Sequence, residues 1–201
     1  MKIRATCFHS ACGAPVEHRM TIRMNRISVI GTSGSGKTTF ANKLAEILRI
    51  PHVELDALHW EADWRPAPRD GFRSRAPGAV GAERWVVDGN YSKSARDLVW
   101  ERADTIVWLD FSFTVTLGRV LRRTICRLAP GEERCNGNRE RLGAALSRDS
   151  VIMWTLQSYK RHRVEYPLLL AVQEQRGAQT VRLHSPKEAD RWLTRQASAG
   201  D

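Results

Sequence analysis

With 201 residues, the chain is long enough for one sizeable core and short for two ordinary domains. Its 42% hydrophobic and 27% charged residues exclude global disorder and a collagen-like chain. The formal charge of +10, from 32 Lys plus Arg against 22 Asp plus Glu, favours anionic partners such as phosphates or nucleic acid without choosing between them.

Residues 1 to about 24 show neither helical nor strand periodicity and are expected to form a disordered extension ahead of one domain at 25–201. Residues 5 to 20 contain His, Glu, Pro and Arg in place of the apolar stretch of a signal peptide. Cys7, His9, Cys12 and His18 can be drawn as a zinc set, but their spacing is not that of the common zinc motifs. The four cysteines, at 7, 12, 126 and 135, are too few and scattered for a disulfide scaffold, which points to a reducing cytoplasm. No run approaches the ~18 apolar residues of a membrane span.

From residue 26 onward short apolar runs alternate with longer helical stretches, the pattern of βαβ units around a parallel sheet. The predicted strands are Arg26–Ile30, His52–Leu55, Arg84–Asp88, Thr105–Asp110 and Thr180–Leu183. The predicted helices cover about 36–48, 68–80, 92–101, 113–128, 149–175 and 186–196. Pro130, Gly131, Gly137 and Gly143, set among arginines, mark about 129–147 as a mobile lid.

The first predicted strand runs into Gly31, Thr32, Ser33, Gly34, Ser35, Gly36, Lys37 and Thr38, which satisfy the pattern of a P-loop, and a helix opens through Thr39 and Phe40, with Gly31 to Thr39 as the candidate nucleotide-binding residues. Glycines in such a loop let successive backbone N–H groups point inward at phosphate oxygens, and the helix N-terminus adds its positive dipole end. The segment therefore predicts binding of a nucleoside triphosphate, ATP with Mg²⁺, with Lys37 on the phosphates and the Thr38 hydroxyl on the metal. Ten excess positive charges exceed what one triphosphate uses, so weak nucleic-acid binding is a further expectation.

Two apolar strands end in carboxylates, Asp88 and Asp110, at the edge of a parallel sheet where ligands bind. One of them is expected to hold Mg²⁺ through its waters. Asp88 is preferred because Gly89, Asn90, Tyr91 and Ser92 follow it as a tight turn; the other is then a helix cap or turn residue.

The strand, P-loop and helix, together with Val87-Asp88-Gly89, resemble the adenylate kinase superfamily. Asp110 precedes Arg119 and Arg123 by nine and thirteen residues, as an aspartate precedes two ATP-contacting arginines in that family. The resemblance implies a three-layer P-loop nucleoside-kinase-like fold, a five-stranded parallel sheet in the order 2-3-1-4-5, and a lid insertion. It also implies that Arg119 and Arg123 act on the phosphates. A narrower likeness rests on Leu55-Asp56-Ala57-Leu58-His59-Trp60, on Trp85 to Ser92 and on Asn136 to Glu140. It is to the bacterial adenylate-kinase-related family known as DNA topology modulation proteins, over residues 26 to about 196. Adenylate kinases continue Phe-Pro-Arg after the Asp-Gly pair, whereas Asn90, Tyr91 and Ser92 stand here, which puts AMP as acceptor in doubt.

On the acceptor side, Asp56 and His59 follow the second predicted strand. Asp56 is expected to serve as general base toward a hydroxyl or as a hydrogen-bond anchor. His59, Trp60 and Tyr91 join it as candidate substrate contacts, with structural packing as the alternative for His59 and Trp60. Arg139, Arg141, Arg148, Arg161 and Arg163 are candidates to fold over the phosphates, and Cys126 with Cys135 resembles weakly the zinc-bearing lids of some adenylate kinases. The expected activity is an ATP-dependent phosphotransferase acting on a nucleotide, nucleoside or small molecule. Its alternative is a regulatory or DNA-associated protein that uses ATP as a switch and affects DNA topology.

Overall fold

The computed structural model describes residues 24–55, 78, 80–89, 93–127 and 151–199. They form β1 (Arg26–Gly31), α1 (Lys37–Leu48), β2 (His52–Glu54), β3 (Trp85–Asp88), α2 (Lys93–Trp100), β4 (Thr105–Leu109), α3 (Phe113–Arg127), α4 (Val151–Gln175), β5 (Gln179–Leu183) and α5 (Pro186–Ala199). All five predicted strands are present, with ends within a residue or two of those expected. The lid at about 129–147, most of the expected helix at 68–80 and the N-terminal extension lie outside the described residues.

The strands form one sheet in the order β2-β3-β1-β4-β5, every pairing parallel, as the adenylate kinase resemblance implies. In the register, Ile27 faces Val86 on one side and Thr105 on the other, and Gly31 faces Leu109. The chain leaves β1 toward β2 on one flank, and leaves β3 toward β4 on the other. Because parallel crossovers are right-handed, two connections that depart in opposite directions cover opposite faces of the sheet. A crevice must therefore open between the ends of the neighbouring strands β1 and β3, the place where ligands bind in such sheets.

The buried side chains sort onto those two faces. Ile27, Val29, Val86 and Val107 pack with Phe40 and Leu44 of α1 and with Trp192 and Leu193 of α5. The rings of Phe40 and Trp192 stack with centroids 5.7 Å apart. On the opposite face Ile30, Trp85, Val87, Ile106 and Trp108 pack with Val99 and Trp100 of α2 and Tyr166 and Leu170 of α4. The fold is thus three layers, helix, sheet and helix. Leu44 is fully buried, and truncating it to Ala would cost about 2–5 kcal/mol.

Two polar contacts tie these layers together. Trp100 Nε1 donates to Ser28 Oγ at 3.1 Å across the buried face. The Asp104 carboxylate accepts from the backbone N–H groups of Asn25 and Arg26 at 3.1 and 2.9 Å, fixing the start of β1. Among the described residues no helix is long and apolar enough to cross a membrane.

Candidate active site

The loop between β1 and α1 is shaped by its glycines. Gly34 has φ 83°, and a Cβ there would stand 2.4 Å from the Thr116 carbonyl oxygen and 2.6 Å from Val120 Cγ2. Only glycine lets the loop lie this close to α3. Gly36 has φ 85° and ends the loop as the N-cap of α1, with no side-chain cap on the helix. The first-turn N–H groups of α1 are therefore not taken by a capping side chain, the condition for receiving an anion. The turn is closed by Ser35 N–H donating to Thr32 O at 3.0 Å.

Helix α3 braces the loop from one face, through Thr116 and, one turn on, Arg119 and Val120. Arg119 Nη1 donates to the Ser35 carbonyl oxygen at 2.9 Å, and its guanidinium lies over the Phe111 ring at 5.5 Å. In a trans peptide the carbonyl and the following N–H point in opposite directions. With the Ser35 carbonyl held on Arg119, the Gly36 N–H therefore points away from that side of the loop. Arg123 lies one turn further along the same helix and is half-buried.

At the neighbouring strand end, Asp88 is buried to 2% exposure and meets the helix that the loop opens. Thr38 Oγ1 donates to Asp88 Oδ2 at 2.6 Å, and His52 Nε2 stands 3.1 Å from Asp88 Oδ1. A hydroxyl and a carboxylate are the hard oxygen ligands that Mg²⁺ prefers, so this pair fits the metal of a nucleoside triphosphate. Ser35 Oγ is buried beneath the loop and has no hydrogen-bond partner among the described residues.

Asp110 is placed differently. Arg163 Nε donates to its Oδ1 at 2.8 Å, and Arg182 donates to its Oδ2 through Nη2 at 2.6 Å and Nε at 3.0 Å. Arg182 also covers the Trp108 ring at 4.3 Å, and His184 Nδ1 lies 3.8 Å from Oδ2. This carboxylate is an ion-pair hub joining β4, α4 and β5. That is a different role from the cap or turn expected of whichever aspartate does not face the metal. The same bond holds the Arg163 guanidinium above its usual pKa. Arg161, the other α4 arginine proposed for the phosphates, lies over the Trp154 ring at 5.3 Å.

The structure therefore gathers Gly31 to Thr38, Asp88 and Arg119 at one sheet edge, with Arg123 a turn beyond. Asp56, His59, Trp60 and Tyr91 lie outside the described residues, as do Arg139, Arg141, Arg148 and Cys135. Two histidines escaped the sequence reading. His52 binds Asp88. His162 on α4 is 5% exposed and stacked on Tyr166 at 4.5 Å, and its Nδ1 has no partner among the described residues. Burial first, then the charges of Arg161 and Lys37, pull its pKa down to about 4.

No protein-family model matches the chain, and no curated protein matches it. Solved structures do. A gluconokinase from Sinorhizobium meliloti superposes with a TM-score of 0.50 at 22% identity, over 88% of this chain and 91% of that one. A shikimate kinase from Bacteroides thetaiotaomicron gives a TM-score of 0.53 at 16% identity, over 87% and 97%. A shikimate kinase from Acinetobacter baumannii, solved with shikimate, gives 0.52 at 15% identity, over 86% and 90%. The fold is that of the P-loop kinases. At these identities the likeness speaks for the fold, and the narrower resemblance to DNA topology modulation proteins gains no support from it.

Proposed function

We propose that this chain transfers the γ-phosphoryl group of ATP to a small acceptor. The observation that carries the reading is the Thr38–Asp88 hydrogen bond, which brings a P-loop hydroxyl and a strand-end carboxylate together at the crevice between β1 and β3. A P-loop alone suits any nucleoside triphosphate. A P-loop flanked by a hard-oxygen pair on one side and by Arg119 and Arg123 on the other suits transfer of the terminal phosphoryl group.

In this reading the backbone N–H groups of the loop and Lys37 hold the β and γ phosphates. Thr38 and Asp88 would hold Mg²⁺, which would supply positive charge to the phosphates. The acceptor oxygen attacks the γ phosphorus in line, the bond to the bridging oxygen breaks, and ADP leaves. Negative charge spread over the transferring group is met by Lys37, Arg119 and Arg123, and the bond to Ser35 holds Arg119 in place before the reaction begins. If the acceptor is a hydroxyl, its proton passes to a base, and Asp56 is the residue we assign to that task, with His59, Trp60 and Tyr91 around the acceptor.

Two points favour a hydroxylated small molecule over a nucleoside monophosphate. Asn90, Tyr91 and Ser92 replace the segment in which adenylate kinases carry their monophosphate arginine. The solved structures that share the fold bear the names of small-molecule kinases. A coupled assay of ADP release, run over small alcohols, hydroxy acids, nucleosides and nucleoside monophosphates, tests the reading. Acceptor-dependent release is expected; ATP binding with no acceptor-dependent release from any class would overturn it.

A further inference from the structure

Asp88 receives contacts from two elements that are far apart in sequence. Thr38, at the start of α1, donates to Oδ2 at 2.6 Å, and His52, on the edge strand β2, meets Oδ1 at 3.1 Å. An ionised carboxylate only accepts hydrogen bonds, so both partners must donate, and the Nε2 of His52 must carry the proton. The register explains how His52 reaches the site. It pairs with Val86, and Glu54 with Asp88, so the imidazole leans two residues along the strand toward the crevice. The two side chains are 12% and 3% exposed, which keeps water from competing strongly for the bond.

The rotation that sets the plane of an aspartate carboxylate is soft, with broad preferences in place of staggered wells. One hydrogen bond from Thr38 fixes the position of one oxygen but leaves the plane free to swing about it. A second bond on the other oxygen, from a rigid strand, removes that freedom. Mg²⁺ demands near-ideal octahedral geometry, so the orientation of its oxygen donors, or of those that order its waters, governs its affinity.

We propose that His52 is a positioning residue for the metal arm of the site: its bond to Oδ1 sets the plane of the Asp88 carboxylate so that Asp88 and Thr38 present their oxygens together to Mg²⁺. The proposal rests on the assignment of that pair to Mg²⁺ under Proposed function. It gives a task to a histidine that is otherwise a polar brace on an edge strand.

The test is calorimetric binding of the β,γ-imido analogue of ATP, with Mg²⁺ and with EDTA, to the full chain and its His52→Leu, His52→Asn and His52→Gln variants. Thermal melting of each is recorded alongside. Wild type is expected to bind the analogue more tightly with Mg²⁺. Removing an outer partner of a metal ligand weakens metal affinity about 10–100-fold. The Mg²⁺ gain should therefore fall about 10-fold or more in His52→Leu, and likewise in His52→Asn, whose amide is too short to reach. His52→Gln, which restores an N–H donor, should keep most of the gain, and affinity in EDTA should be the same in all four. A brace without a positioning role would lower the melting temperature and leave the Mg²⁺ gain intact in both short variants, and that result overturns the proposal alone. A wild-type chain that binds the analogue with no Mg²⁺ gain overturns the metal assignment as well.

Discussion

Arg119 donates from Nη1 to the Ser35 carbonyl oxygen at 2.9 Å, linking the helix after β4 to the phosphate loop across 84 positions of sequence. The bond ties the loop to α3 through one nitrogen of the guanidinium. Arg119→Ala should lower kcat on the order of 10²-fold or more, the usual effect of losing a fixed donor to transition-state charge, and should raise KM for ATP. Arg119→Lys keeps the charge but loses the planar fork, so it should recover only part of the activity. Steady-state kinetics with ATP varied separate the two effects.

Gly34 is predicted to tolerate no side chain. A methyl group there meets the Thr116 carbonyl and Val120, on a backbone already at φ 83°. Gly34→Ala should destabilise the fold by about 1–3 kcal/mol and abolish ATP binding. Denaturant melts and analogue calorimetry check both. Lys43→Ala, an exposed change in the second turn of α1, is the control for general disturbance of the helix and should leave the melt nearly unchanged.

Much of the site is visible in consecutive residues, because a phosphate loop is built by local backbone conformation. Strands covered on both faces also read as continuous apolar runs, which is why Val86-Val87-Asp88 and Ile106 to Asp110 stand out. The strand order came from the resemblance to adenylate kinases, since pattern alone gives strands and not their neighbours. The different settings of Asp88 and Asp110 could not be seen in sequence. Asp88 meets Thr38 and His52 from 50 and 36 positions away, and Asp110 meets Arg163 and Arg182 from 53 and 72. A helix face rich in arginine announces positive charge without naming its carboxylate. Arg163 is one of several arginines that its sequence position offers to the phosphates, and in the structure it donates to Asp110.

The two aspartates should respond differently to the same change. Asp110→Asn loses the charge that holds Arg163 and Arg182, both of them partly exposed, and should destabilise the chain by about 1–3 kcal/mol while the Mg²⁺ gain in analogue binding persists. Asp88→Asn should abolish that gain. Melting curves and calorimetry on the same two variants give the comparison, and loss of the gain in Asp110→Asn alone would reverse the assignment.

His162 gives the fold a dependence on pH. Its pKa falls from 6.5 to about 4 on folding, so between those values the unfolded chain binds more protons than the folded one. Its contribution is fully present above pH 6.5 and is lost as the pH drops toward 4, on the order of 3 kcal/mol across the window. His162→Gln should flatten the fall in melting temperature between pH 6.5 and pH 4. An unchanged slope would mean that other groups carry it.

The central claim is phosphoryl transfer, and the most direct measurement follows the group itself. ATP labelled at the γ phosphate is incubated with Mg²⁺, the chain and the small-molecule fraction of a cell extract. Label is expected in a small acceptor with wild type and absent from it with Lys37→Ala. A wild-type chain that binds ATP with Mg²⁺ yet leaves all label in ATP or inorganic phosphate would contradict the account.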